Sequence, residues 1–268
     1  MTSLSVHHAV RRQFLRVNAP PASPASTALA GANTLTSHYT DYFATPQQLE
    51  WYRVMAVDKA GNIASICADV PHESILDIGA GDGAVLHRLN EIGFGSRLFA
   101  IDISDSGLAA LRSKSWNRLV ECKRFDGYNV PYPDQSFDLA VLSHVVEHVE
   151  HPRLLLREAA RVARHVYVEV PLEFCWNNRR MNRDFKLDAT GHINFYNSNL
   201  IRLLVQSSGL KVLRQEIRHF TSKAYTHNRG PRGRINYWIK EIAFRIHKRF
   251  ASKIFNYHCG LLCTREAA

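Results

Sequence analysis

The sequence predicts an α/β protein in which helices cover both faces of a parallel sheet. Between residues 73 and 171, short apolar segments rich in Val, Ile, Leu and Phe alternate with segments whose apolar residues recur every three or four positions. The first pattern is typical of buried strands and the second of amphipathic helices, and their alternation through short turns indicates βαβ units. No apolar run approaches the roughly 20 residues that span a bilayer, so we expect a soluble, cytoplasmic protein.

Capping residues and glycines delimit the predicted elements. Ser104 or Asp105 opens one helix, and Asn197 or Ser198 opens another that Gly209 ends. The predicted strands are residues 73–79, 97–104, 119–126, 137–143, 165–171, 210–220 and 257–265. The predicted helices are one or two within residues 45–70 and single helices at 83–93, 104–115, 151–164, 197–209 and 235–255.

The chain divides into a tail and one domain. Residues 1–40 contain no Asp or Glu and include a Pro/Ala/Ser-rich stretch at 18–32, which cannot bury enough apolar surface to fold. We expect residues 1–40 to be a disordered tail. An organellar targeting segment is the alternative, because the first 17 residues contain Arg and no acid. Residues 41–268 then form the domain.

The most informative motif is the segment ILDIGAGDGAVLHRL at residues 75–89, where an apolar strand reaches Asp77 and passes into three glycines. Glycines before a helix let a ligand approach the free backbone N–H groups of its first turn. A dinucleotide fits this pattern, but the Asp77 carboxylate would repel a pyrophosphate and attract a cationic amino-acid group. Asp102 ends the next strand, where a carboxylate can bind both hydroxyls of a ribose. The third strand ends in Phe125 and Asp126, an aromatic ring and an acceptor that suit an adenine.

Four segments resemble the class I S-adenosylmethionine-dependent methyltransferases in their order and spacing. They are DIGAGDG, FAIDIS, RFDGYNVPYPDQSFDLAVLSHVVEHVEHP and GHINFYNSNLIRLLVQSSGL, and together they cover about residues 45–218. The resemblance is greatest to the branch that contains quinone-biosynthesis and other small-molecule O-methyltransferases. It implies a Rossmann-like sheet of seven strands, mostly parallel, with an antiparallel last strand, and S-adenosyl-L-methionine as the cofactor.

The same resemblance implies which residues bind this cofactor. Its methionine part would lie against Asp77, Gly79, Ala80 and Gly81. Asp102 would hold the ribose hydroxyls, Ile103, Phe125 and Asp126 would surround the adenine, and Ser143 and His144 would lie near the sulfonium.

A methyl acceptor that carries a proton also needs a base. The segment SHVVEHVEHP at residues 143–152 offers several candidates, and we predict a helix there that places His144 beside both Glu147 and His148. His192, at the end of an irregular loop, is a further candidate. We take His144, His148 and His192 as the candidate catalytic residues, with a purely structural hydrogen-bonding role as the alternative for each.

A metal site is a separate question for this segment. Some relatives bind a divalent cation through the pattern Glu-x-x-Glu-His. Here His144 replaces the first Glu, which removes a hard oxygen ligand. We therefore predict no metal site.

The net charge of +10 is concentrated near the C-terminus, where residues 202–268 hold 14 Lys and Arg but 3 Asp and Glu. Residues from about 222 to 255 form a basic helical insertion in our prediction. Apolar side chains recur there at helical spacing: Ile235, Ile239, Ile242, Ile246 and Phe250.

Three roles are open for this insertion. It could be a lid whose apolar stripe docks on the domain, or residues 229–253 could contact an anionic membrane surface. Binding of nucleic acid is the third, and the lack of a recognisable RNA-binding motif argues against it.

The functional prediction is methyl transfer from S-adenosylmethionine to an oxygen of a small-molecule acceptor or of a lipid- or glycan-linked acceptor. A non-catalytic cofactor-binding regulator or assembly factor is the alternative from a different class. An RNA 2′-O-methyltransferase and an NAD-dependent enzyme are lesser alternatives.

Overall fold

The computed structural model describes residues 46–181, 191–227 and 230–266. Its helices are α1 (Pro46–Ile66), α2 (Ala84–Ile92), α3 (Asp105–Arg112), α4 (Pro152–Val162), α5 (Trp176–Met181), α6 (Ser198–Gln206), α7 (Ser222–Thr226) and α8 (Gly230–Ile254). Its strands are β1 (Ser74–Ile78), β2 (Arg97–Asp102), β3 (Leu119–Arg124), β4 (Phe137–Ser143), β5 (Ala163–Pro171), β6 (Leu210–Arg218) and β7 (His258–Arg265). The predicted tail at residues 1–40 lies outside the described residues, as do residues 182–190 of the irregular loop and Arg229 of the basic insertion.

The seven strands form one sheet in the order β3-β2-β1-β4-β5-β7-β6. Strands β1 to β5 run parallel to one another, whereas β7 runs antiparallel to both β5 and β6. This confirms the predicted sheet and its antiparallel last strand. Because the chain reverses its direction of winding at β1 and β4, the loops after these strands diverge and leave a crevice at the carboxyl edge of the sheet.

Helices cover both faces of the sheet, as predicted. On one face, Ile63 of α1 and Leu86 of α2 are fully buried; on the other, Leu156 of α4 and Ile201 of α6 are fully buried. Each large aliphatic side chain buried in this way stabilises the fold by about 1.5–3 kcal/mol. The two apolar layers hold the strands in place, and the strands in turn position the loops at the carboxyl edge of the sheet.

Helix α8 differs in two respects from its prediction. It is longer at its N-terminal end, where it begins at Gly230. Its backbone also leaves helical geometry at His247, and the next turn begins there, with the Phe250 N–H donating to His247 Nδ1 at 3.1 Å. The apolar stripe is exposed, so a lid that docks this stripe on the domain is wrong. None of the described helices is long and apolar enough to cross a membrane.

Candidate functional site

The glycine turn after β1 is fixed to the end of β2. The N–H groups of Gly79 and Ala80 both donate to the Ile101 carbonyl, at 2.8 and 3.1 Å. Gly79 has a φ of +76°, and a Cβ on it would lie 2.8 Å from Val145 Cγ2. Glycine is therefore required here both for its backbone conformation and for the close approach of Val145, which follows β4. This contact joins the turn after β1 to the turn after β4.

Asp102 sits at the centre of this arrangement. Its carboxylate is buried and accepts hydrogen bonds from two backbone N–H groups, Oδ2 from Gly81 and Oδ1 from Ser104, each at 2.7 Å. Burial raises the pKa of this carboxyl, and the backbone hydrogen bonds oppose that rise. The backbone N–H of Ile103 also acts on this carboxylate, so about one of its four acceptor positions remains for a further donor such as a ribose hydroxyl.

Asp77 lies on the neighbouring strand, one residue before β1 ends, and is also buried. Burial, and next the charge of Asp102, raise the pKa of Asp77 from 3.8 to about 7. A buried carboxyl with this pKa carries its charge only partially at neutral pH. The arrival of a cationic group would favour its ionised form, so the position is suited to an ammonium or sulfonium.

The loops after β2 and β3 form the side where the adenine was predicted. Ile103 lies close to Gly127, because a Cβ added to this glycine would be 3.5 Å from Ile103 Cγ2. Phe125 is partly buried and packs against the core. The exposed carboxylate of Asp126 accepts from the backbone N–H groups of Tyr128 and Asn129 at 2.8 and 2.7 Å, and from the Asn129 amide. Asp126 thus stabilises the turn that carries Phe125, and its contact with adenine stays a prediction.

The predicted helix after β4 is wrong. His144 has a φ of +60°, in the left-handed region that helices exclude, and the only regular feature nearby is a single turn closed by the His148 N–H donating to the Val145 carbonyl at 3.0 Å. The predicted proximity of His144 and Glu147 is nevertheless present, because His144 Nδ1 lies 3.2 Å from Glu147 Oε1. Burial lowers the pKa of His144 well below its usual value, so its ring is neutral.

The end of the irregular loop returns to this turn. The N–H groups of Ile193 and Asn194 donate to the Glu147 carbonyl at 2.9 and 3.0 Å. His148 Nδ1 lies 3.2 Å from the Gly191 carbonyl, and the rings of His148 and His192 have centroids 4.7 Å apart. The structure therefore brings together His148 and His192, which are 44 positions apart in the sequence.

Glu173 orients His192. The His192 Nδ1 atom lies 2.6 Å from Glu173 Oε2, and both side chains are largely buried. Because a carboxylate oxygen accepts, His192 Nδ1 donates this hydrogen bond. The His148 Nδ1 donates to a carbonyl in the same way, and burial lowers the pKa of His148. In both rings Nδ1 is the nitrogen that donates to an oxygen.

Glu147, His148 and His192 could also hold a metal ion. One ligand atom of each lies within 4.8 Å of the others, and within the described ranges both Glu147 carboxylate oxygens lack a hydrogen-bond donor. Two imidazoles and one carboxylate suit ions such as zinc or manganese. The prediction that no metal binds here stays a prediction.

Three residues of this crevice were missed by the sequence analysis. Glu169 of β5 is buried opposite Ser143, and its carboxylate accepts from Ser143 Oγ at 3.2 Å and from Asn62 Nδ2 at 2.7 Å. Lys59 of α1 lies among the carboxylates, which raise the pKa of its amine while burial lowers it more strongly. Glu169 could have been recognised as a candidate site residue, because it is an acid inside the apolar strand HVYVEVP. Lys59 and Asn62 could not be recognised in this way, since α1 is polar along much of its length.

A family model described as a methyltransferase domain matches residues 50–215. This is more than half of the chain and contains every residue of the crevice described above. The chain belongs to the methyltransferase domain family. Its Rossmann-like fold is that of the class I S-adenosylmethionine-dependent methyltransferases.

Individual relatives agree with this membership. The methyltransferase domain is 32% identical over 89 residues to the malonyl-[acyl-carrier protein] O-methyltransferase of Halorhodospira halophila, covering 33% of this chain and 30% of that protein. It is 35% identical over 94 residues to the demethylmenaquinone methyltransferase of Corynebacterium urealyticum, covering 35% of this chain and 38% of that protein. The aligned part spans about a third of the length of these curated relatives.

A solved structure shows the same fold at lower sequence identity. It is a S-adenosylmethionine-dependent methyltransferase from Thermotoga maritima, with a TM-score of 0.57, 14% identity, and coverage of 87% of this chain and 100% of that chain.

The crevice of the methyltransferase domain fits S-adenosylmethionine. The buried Asp77 offers a charge for its cationic amino-acid part, and Asp102 keeps about one acceptor position beside its three backbone N–H donors. The absence of a side chain on Gly79 lets Val145 pack against the glycine turn. Asp77, Gly79, Gly81 and Asp102 are the residues that would hold the cofactor.

Proposed function

We propose that this methyltransferase domain transfers the methyl group of S-adenosylmethionine to an oxygen atom of a small-molecule acceptor or of a lipid- or glycan-linked acceptor. When bound, the cofactor supplies an electrophilic methyl carbon. The protein must then orient the acceptor oxygen and remove its proton.

The carrying observation is the hydrogen bond between His192 Nδ1 and Glu173 Oε2 at 2.6 Å. It fixes the orientation of the His192 ring, and the neighbouring His148 lies in the turn that contacts Gly79 through Val145. Glu173 and His192 are thus linked to the glycine turn through His148 and Val145. In this proposal His192 takes the proton of the acceptor hydroxyl, and Asp77, Gly79, Gly81 and Asp102 would hold the cofactor that supplies the methyl group.

The names of two relatives support an acceptor of this kind. One is named as an O-methyltransferase of malonyl-[acyl-carrier protein], which supports oxygen as the methylated atom, whereas the demethylmenaquinone methyltransferase supports only a small lipid-soluble acceptor. A neutral imidazole is also a suitable base for a hydroxyl near neutral pH.

The test uses S-adenosylmethionine labelled in its methyl group. The full chain is incubated with cell extract, and the extract is then separated into organic-soluble, aqueous small-molecule, protein and nucleic acid fractions. We expect label in the organic-soluble or small-molecule fraction, and transfer about a hundredfold slower when His192→Ala replaces the parent. Label in nucleic acid would favour an RNA 2′-O-methyltransferase. Cofactor binding without any transfer would favour a non-catalytic module.

A further inference from the structure

The outer face of α8 is apolar. Six large side chains on it are between 52% and 78% exposed: Ile235, Trp238, Ile239, Ile242, Ile246 and Phe250. We call these six residues the outer stripe. With 3.6 residues per turn, the four isoleucines lie within a narrow sector of the helix. A contiguous exposed patch of this composition marks an interaction site in a soluble domain.

The opposite face of α8 already holds the helix on the domain. Lys240 is buried and its Nζ donates to the Asn256 carbonyl at 2.8 Å, while the Tyr257 hydroxyl donates to the Lys240 carbonyl at 2.6 Å. Tyr237 stacks on His219 with ring centroids 5.0 Å apart. The outer stripe is therefore not needed to attach α8.

The charged side chains of α8 that flank the outer stripe are mainly positive. The helix contains seven Lys and Arg residues but a single carboxylate, Glu241. Glu241 is turned toward the domain, where its oxygens contact His219 Nδ1 at 2.8 Å and Arg245 Nε at 2.6 Å. The remaining exposed cations are Arg232, Arg234, Arg245, Lys248, Arg249 and Lys253.

We propose that α8 docks this domain on an anionic lipid membrane. The outer stripe enters the boundary between headgroups and acyl chains, and the flanking Arg and Lys side chains bind lipid phosphates. Trp238 is suited to this boundary because its ring is apolar and its N–H is polar. The proposal does not depend on which acceptor the domain methylates.

The alternatives fit the same face less well. Contact of the outer stripe with its counterpart on a second copy would bring the two sets of Arg and Lys together, which costs electrostatic energy. Nucleic acid would use the cations, but isoleucine side chains offer no ring on which a base can stack. A fluid anionic surface matches both the apolar area and the charge.

The experiment measures sedimentation of the full chain with vesicles. One set contains phosphatidylcholine alone and the other an equal mixture of phosphatidylcholine and phosphatidylglycerol. We expect binding to the anionic vesicles that weakens as salt increases, and little binding to the neutral vesicles. The double variant Ile242→Gln/Ile246→Gln should reduce the partition coefficient at least about tenfold, since it removes two inserting side chains.

Two further variants complete the design. Lys248→Gln/Arg249→Gln should reduce binding by about tenfold or more, since each cation near an anionic surface contributes about a fivefold change. Leu203→Gln is the matched control, because Leu203 is 61% exposed on α6, outside α8, and its loss should change nothing. Unchanged adenosylhomocysteine affinity in all variants shows that they are folded and separates this test from that of methyl transfer.

Four results would overturn the proposal. They are no sedimentation with anionic vesicles, equal sedimentation of parent and α8 variants, a dimer in solution that the stripe variant dissociates, and tighter binding of single-stranded RNA than of vesicles.

Discussion

The carboxylate of Asp102 accepts a hydrogen bond from the backbone N–H of Gly81 at 2.7 Å. This bond joins the end of β2 to the glycine turn after β1. The acid that would bind the ribose therefore also fixes the turn that would surround the methionine part of the cofactor. Such a cradle is preformed, so little ordering energy is lost on binding.

The first prediction concerns this acid. Asp102→Ala removes the acceptors for the ribose hydroxyls and leaves the Gly81 and Ser104 N–H groups without their present acceptor. At about 1 kcal/mol for each lost hydrogen bond, the affinity for adenosylhomocysteine should fall by about tenfold to a hundredfold in calorimetry. Asp105→Ala is the control, because Asp105 is exposed three positions away. Unaltered affinity in the Asp102 variant would remove the ribose assignment.

The second prediction concerns stability and the pKa of Asp77. In the folded chain this pKa is about 7, compared with an ordinary value of 3.8. Between these values the folded state binds more protons than the unfolded state, so the contribution of Asp77 to stability is lost as pH rises from about 4 to about 7. Asp77→Asn should therefore stabilise the apoprotein by about 4 kcal/mol more at pH 8 than near pH 4, measured by urea unfolding. Equal effects at both pH values would contradict the raised pKa.

The third prediction concerns ligand binding at the same residue. A cationic amino-acid group binds the ionised form of Asp77, so the affinity for adenosylhomocysteine should increase between about pH 5.5 and 7.5, with release of a proton. Calorimetry in buffers of different ionisation enthalpy measures this proton. Asp77→Asn should lose both the pH dependence and the proton release. Glu169→Gln is the control, because its pKa is also about 7 but its carboxylate is held by Asn62 and Ser143.

The fold was predictable from the sequence because its elements are strongly periodic and clearly bounded. All seven strands lie where the apolar segments indicated them, and Asn197 caps α6 by accepting from the Asn199 and Leu200 N–H groups. The helix after β4 was mispredicted because its residue spacing is helical, whereas the turn is fixed by tertiary contacts such as the His144 N–H donating to the Glu169 carbonyl at 2.8 Å. Such contacts cannot be predicted from the spacing of residues in the sequence.

The site was predictable only in part, for a related reason. Asp77 and Asp102 follow strands that pair with each other, so their proximity is a consequence of the fold. Glu173 and His192 meet across a long loop, and Lys59 reaches the crevice from a helix at the other end of the domain sequence. Likewise, the apolar stripe of α8 is visible in the sequence, but the direction in which it faces is set by the contacts of Lys240 and Tyr257.

The fourth prediction concerns the base. His192→Ala should lower kcat by about a hundredfold or more, because it removes the proton acceptor, while the affinity for adenosylhomocysteine stays unchanged. Glu173→Gln should lower kcat less and shift its pH profile, because the amide no longer fixes the His192 ring as a carboxylate does. His151→Ala, an exposed histidine at the start of α4, is the control. Full activity of the His192 variant with the identified acceptor would contradict the assignment.

The fifth prediction concerns metal ions. Burial lowers the pKa of Lys59, but Glu169 and Glu147 favour its ammonium form, which can offset their charge without a metal ion. We therefore expect methyl transfer to survive dialysis against EDTA. Activity that is lost on dialysis and restored by zinc or manganese would show that Glu147, His148 and His192 are ligands.

The central claim is that the crevice beside Asp77 and Asp102 binds a positively charged methyl donor and not a phosphate chain. Calorimetric titration of the same preparation with S-adenosylmethionine and with NAD tests it directly. We expect one molecule of S-adenosylmethionine to bind per chain, with no heat of binding from NAD and no competition by it. Binding of NAD together with no binding of S-adenosylmethionine would contradict the claim.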